Sequence, residues 1–275
     1  MTEFRPGRFQ ILPTVIKNLI IINVLVFIAQ TTLKSQFGDA IDNTFALHNF
    51  QSPLFKPWQL VTYLFMHGGF DHIFFNMFAL WMFGATLENL WGPKRFLTFY
   101  MVCGLGAAFI HLIVLYFETR GISNDFMVLK SNFDVGHFLD FVSRHHNGFN
   151  QQKVTELITE WQAEPGNNYY QQIAIESVND YVNVQLNNGT IGASGAVFGV
   201  LAAFGYLFPN DYLYIYFLVP VKVKWAISAY IVIELFTGIK NSAGDNVAHF
   251  AHLGGALFGL ILVYYWNKTN RRNFY

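Results

Sequence analysis

The sequence predicts an all-α membrane protein, with six transmembrane helices and a helical extramembrane insert between the third and the fourth. Three observations predict it. Hydrophobic residues make up 53% of the 275 residues and charged residues only 12%, about half the charged share of a soluble domain. Six apolar segments approach the roughly 20 residues that a helix needs to cross the hydrocarbon core. One polar stretch of about 70 residues parts the third from the fourth, far longer than an ordinary connection.

The elements follow in order. The segment at about 14–33 holds Lys17 and has no small-residue cleavage site, so it reads as a retained span and not as a signal peptide. The long loop after it, about 34–70, carries Phe55, Trp58 and Tyr63, aromatic residues suited to a membrane interface. The second and third spans are expected at about 72–90 and 95–117. The insert is acidic, with nine carboxylates against four basic residues. Its Val154, Leu157, Ile158 and Trp161 recur at the spacing of one helix face, and "IAIESVNDYVNVQL" has the look of a second such helix. The fourth span, at about 193–209, is short and glycine-rich and so needs cover from its neighbours; the fifth and sixth fall at about 223–240 and 247–267. Lipid offers the backbone no hydrogen-bond partners, so each span is a helix. The expected organisation is therefore 1–117 for spans one to three, 118–190 for the insert and 191–275 for spans four to six.

Zero net charge leaves no basic face for nucleic acid, and a single cysteine, Cys103, excludes an internal disulfide or a thiolate-rich metal cluster. With six spans, Arg5, Arg8, Lys17, Lys94, Arg95, Lys222, Lys224, Lys268, Arg271 and Arg272 fall on one side, against Lys34, Lys56 and Lys240 on the other. The positive-inside rule then puts both termini in the cytoplasm, and the expected membrane is a bacterial inner membrane. Spans two, four and six run from outside to inside.

Those three spans each present polar groups near their outer ends. His72 and Asn76, four apart, share a face of span two; Ser194 opens span four; His249 and His252 open span six. Such residues are costly in a membrane and are functional candidates by default. The chemistry they suit is acyl transfer. A serine hydroxyl needs a base to become a nucleophile, and histidine serves at neutral pH. The oxyanion needs fixed donors such as Asn, His and a backbone N–H at a helix start. Gly255 and Gly259 lie on the face of His252, and Gly195 and Gly199 form a matching stripe beyond Ser194, so two glycine faces can bring imidazole to hydroxyl.

At these residues the sequence resembles the rhomboid family of intramembrane serine proteases. The matching pieces are "GASG" from Gly192, "AHLGGALFG" around His252, "HIFFN" from His72 to Asn76 and "GATLENLWG" with Gly84, Glu88 and Gly92, spanning about 58–267 in the family's order. The resemblance implies a Ser194–His252 dyad without a carboxylate and an oxyanion hole of His72, Asn76 and the Ser194 backbone N–H. It also implies that Phe198 supports the histidine ring, and that Gly192, Gly195, Gly255 and Gly259 shape the site. The implied substrates are single-pass or multi-pass membrane proteins cut in or beside their transmembrane segments, with no cofactor and no metal. Two features depart from the family: Trp58 is followed by Gln59 where the family often has arginine, and the insert has no counterpart in the minimal core.

Plainer readings stand beside these. Small residues around a serine also serve helix packing alone. His249 and His252 have the spacing of a metal pair, but no carboxylate or thiolate joins them from a nearby position. Glu234 is the acid nearest in depth; it either orients His252 or, the preferred reading, is held by internal hydrogen bonds or reaches outward. His67 and Asp71 are expected to be interfacial and solvated, His111 and Glu88 to be structural. The rival function is a proteolytically inactive rhomboid-like protein that binds or escorts transmembrane clients. A transporter is disfavoured, because no internal repeat is visible. The insert is expected to be a cap that reads the substrate's outer portion or limits access.

Overall fold

The structure, a computed structural model, describes residues 9–215, 218–240 and 248–269; the expectations for Arg5, Arg8, Arg271 and Arg272 fall outside them. Among the described residues, four helices are long and apolar enough to cross a membrane: α1 (Thr14–Phe37), α2 (Phe70–Trp91), α3 (Pro93–Ser131) and, near the C-terminus, His249–Thr269. Between α3 and the last come α4 (Val135–Arg144), α5 (Gln151–Ala163), α6 (Asn168–Asn187), α7 (Ser194–Leu207) and α8 (Val223–Lys240). His249–Thr269 is α9. Helix α7, a shorter apolar helix of 14 residues, sits deep in the bundle, with nine residues from Gly195 to Ala203 buried. Helix α8 carries Lys224, Glu234 and Lys240, yet Trp225, Val232, Ile233, Phe236 and Ile239 stand exposed along it. So many bare apolar side chains on one helix fit contact with lipid.

The structure adds two features to the mostly helical fold that the sequence led one to expect. Helix α3 does not stop near 117 but runs 39 residues to Ser131, about 58 Å against a hydrocarbon core of about 30 Å. Its extension is held because Ile122, Phe126 and Leu129 follow a helical spacing and pack into the core of α4–α6. Nor is the chain wholly helical. Tyr212–Ile215 and Val219–Lys222 pair as a small antiparallel hairpin before α8, with Tyr212 opposite Lys222 and Leu213 opposite Val221.

Helices α4, α5 and α6 have a core of their own around Phe138, Phe141, Trp161, Ala174 and Val178. Each starts on a side-chain cap: Asp134 accepts from His137 N–H, Asn150 from Lys153 N–H and Asn167 from Tyr169 N–H. Such caps satisfy amides that the first turn leaves without partners. Elsewhere the ends of α1 and α2 are tied together by Glu88, whose two carboxylate oxygens accept the Val15 and Ile16 amides at 2.9 Å each.

Candidate active site

The site depends on how closely α7 and α9 meet. A Cβ added at Gly259 would lie 2.7 Å from the Gly199 carbonyl oxygen and 2.8 Å from its Cα, and one at Gly255 would strike the Gly195 carbonyl. No side chain therefore separates the two backbones, which is what glycine at these positions makes possible. The seam sets Ser194, at the start of α7, against His252, in the first turn of α9, with Oγ 2.8 Å from Nε2. Phe198 lies one turn beyond Ser194, and its ring stacks on His252 at 4.3 Å with 4° between planes. Tyr230 of α8 also packs on Phe198, with ring centroids 4.8 Å apart and the planes tilted by 46°.

Behind the histidine the sequence reading is revised. Glu234 of α8 is buried, and its Oε2 lies 2.9 Å from His252 Nδ1 and 2.6 Å from His249 Nδ1. A carboxylate only accepts, so in the neutral ring the His252 proton sits on Nδ1 and leaves Nε2 free to accept from the serine. The expected dyad thus has a carboxylate, and the ground for setting a His249–His252 metal pair aside does not hold. Neither the rotation of α8 nor the partner of Glu234 was readable, because α8 is apolar nearly all round.

His72 and Asn76 join Ser194, Phe198 and His252 around one cavity of about 940 Å³. The Gly68 N–H donates to His72 Nδ1 at 3.3 Å, which leaves the ring proton on Nε2. That Nε2 lies 2.8 Å from where a Gly192 Cβ would be, and Gly192 adopts a φ of +135° that side chains rarely tolerate. Gly192 is further held by its own N–H donating to the Tyr63 carbonyl at 2.9 Å. Asn76 donates one amide hydrogen to the His72 carbonyl at 3.0 Å, which leaves it a second.

Other expectations sort plainly. Asp71 is exposed as expected, but His67 is buried, its ring edge-on to His72 at 5.0 Å. His111 has a partner that the sequence hid: its Nε2 lies 2.6 Å from Thr190 Oγ1, 79 residues away. The loop before α2 is anchored by Gln59, which is fully buried. Gln59 donates to the carbonyls of Asn43, Thr44 and Leu54 and accepts from the amides of His48 and Lys56. Glutamine here fastens the loop without arginine.

A family model described as the rhomboid domain matches residues 55–128 and 168–268 of the chain. Among curated proteins, RHOMBOID-like protein 12, mitochondrial, of Arabidopsis thaliana is 25% identical over 94% of this chain and 60% of its own length. An uncharacterised mitochondrial rhomboid protein of Schizosaccharomyces pombe is 25% identical over 93% of this chain and 65% of its own. Rhomboid protease AarA of Providencia stuartii is 26% identical over 36% of this chain and 37% of its own. The chain therefore spans less than two thirds of each of these relatives. The two that align along most of the chain are mitochondrial, so the expectation of a bacterial inner membrane finds no support; what stands is an integral membrane protein.

Proposed function

Because the chain belongs to the rhomboid family, we propose that it is an intramembrane serine endopeptidase, cutting membrane proteins in or beside their transmembrane segments. The observation that carries this is the 2.8 Å contact between Ser194 Oγ and His252 Nε2 at the wall of a large cavity. Ser194 passes its proton to His252 Nε2 as its oxygen attacks the scissile carbonyl. Glu234 holds the other ring proton and faces the imidazolium that forms. The Ser194 amide, His72 Nε2–H and Asn76 face the oxyanion. His252 then returns the proton to the leaving amine, and water repeats the cycle on the acyl-enzyme. A scissile bond must leave its helix to be attacked, so substrates with glycine, proline or small residues near that depth are favoured.

The reading includes six spans, with α7 and α8 as the fourth and fifth, and both termini on the side of the basic loops. It takes residues 118–190 as a cap outside the membrane. Three facts support the cap: α3 is too long for the bilayer, α4–α6 have their own core, and 129–167 lie outside the matched family segments.

The test is cleavage of a transmembrane reporter by the purified chain in detergent. Ser194→Ala and His252→Ala should each abolish cleavage, and a fluorophosphonate should label Ser194 in the unaltered chain. Full cleavage by Ser194→Ala would remove the mechanism, and an unreactive Ser194 would favour a client-binding protein.

A further inference from the structure

Hydrolysis as described needs one histidine on Glu234, and the structure supplies two. We propose that Glu234, His249 and His252 form a site for a transition-metal cation such as Zn2+, and that an ion bound there switches the peptidase off. The binding half stands on geometry alone, whereas the switching half rests on the protease reading.

His249 and His252 lie three apart on α9, so both reach across to Glu234 of α8 from one helix face. The donor atoms of the three residues lie within 4.8 Å of one another. Zinc–nitrogen bonds of about 2.0–2.1 Å in a tetrahedral site separate their ligand atoms by roughly 3.3 Å. The present 2.6 Å and 2.9 Å hydrogen bonds would have to open to that spacing, by about 0.7 Å and about 0.4 Å. Two imidazoles and a carboxylate with a fourth position left to water are a frequent zinc ligand set. His252 lines the large cavity, while His249 lines a second one of about 180 Å³ with His111, Glu118, Thr119 and Thr190. Thr237 Oγ1 lies 3.2 Å from the same His249 Nδ1, so a hydroxyl stands beside the proposed ligand atom.

Inhibition follows from the tautomer. A metal on His252 Nδ1 displaces the proton from that nitrogen, and the neutral ring must then carry its proton on Nε2. An Nε2–H has no lone pair for the serine hydroxyl, and Glu234 is withdrawn from the ring at the same time. Metal and catalysis therefore compete for one nitrogen. The ion is neither a cofactor of the reaction nor a substrate.

The test uses the full chain in detergent, stripped with a chelator. Co2+ should give the visible absorption of a four- or five-coordinate ion, saturating at one ion per chain and displaced by Zn2+; His249→Ala and the milder His249→Gln should lose it. In parallel, cleavage and fluorophosphonate labelling should fall roughly tenfold at free Zn2+ about ten times its dissociation constant and return with a chelator. The His249 variants, each read against its own metal-free rate, should change by less than about twofold under the same Zn2+. Absence of the Co2+ band from the unaltered chain, or a band of equal strength in both His249 variants, overturns the site. Zinc inhibition that persists unchanged in those variants overturns the switch. If the unaltered chain cleaves nothing, the protease reading fails, and the Co2+ spectrum still decides the site.

Discussion

Replacing Glu234 by glutamine keeps the size of the side chain and an acceptor oxygen for His252 Nδ1 but removes the negative charge. In the resting state of the proposed mechanism the change costs little, since the ring carries no charge to lose an attraction. In the transition state it is an imidazolium whose Nδ1 lies 2.9 Å from the carboxylate in a buried setting. Two unit charges about 4 Å apart interact by about 4 kcal/mol at the effective dielectric of a protein. Sharing of the carboxylate with His249 at 2.6 Å reduces the part lost, to about 2–4 kcal/mol. At about 1.36 kcal/mol per decade this is a fall of roughly 30- to 900-fold in kcat. Because Glu234 makes no contact with substrate in this scheme, KM should hold within about twofold. The assay is cleavage of a transmembrane reporter over a range of substrate concentrations, with the fluorophosphonate labelling rate as a second readout of nucleophile activation. A kcat within threefold of the unaltered chain would refute the carboxylate's part and return the site to a dyad.

Three further outcomes are expected. Gly255→Ala drives a Cβ into the Gly195 carbonyl; overpacking costs about 1–3 kcal/mol, and since main chain cannot yield as a side chain does, both the melting temperature and serine labelling should fall. Gly121→Ala, with nothing within 4 Å of its added Cβ, is the control and should leave both intact. Gln59→Ala strands the buried His48 amide and the part-buried Lys56 amide and should destabilise the chain by about 1–3 kcal/mol, measured by thermal unfolding, while kcat of the folded fraction survives. Replacing residues 132–167 by a short linker should alter which members of a substrate panel are cut without ending cleavage; an unchanged panel would remove the recognition role given to the cap.

The parts of the site legible in the sequence are those written in local spacing. Gly195 and Gly199 on one helix and Gly255 and Gly259 on another announce a close seam, and a seam brings the first turns of its two helices together. His72 and Asn76 share a face by simple periodicity. What stayed hidden depends on rotation or on long loops. Glu234 points inward only because α8 turns that way, and a helix whose other mid-helix positions are apolar nearly all round gives no sign of it. Thr190 reaches His111 across 79 residues of intervening chain, and Gln59 gathers partners from Asn43 to Lys56 that no spacing rule connects. The overrun of α3 was hidden for another reason. Its apolar positions change from facing the bundle to facing the cap, without a proline or cap residue to mark the boundary.

Where α7 and α9 touch main chain to main chain, no compressible layer lies between them. Changes in bilayer thickness or temperature can tilt this pair as a unit, but they have little purchase on the gap between its first turns. The spacing of the reacting atoms is consequently insulated from the lipid, whereas the Glu234 carboxylate reaches the imidazole from α8, outside that pair.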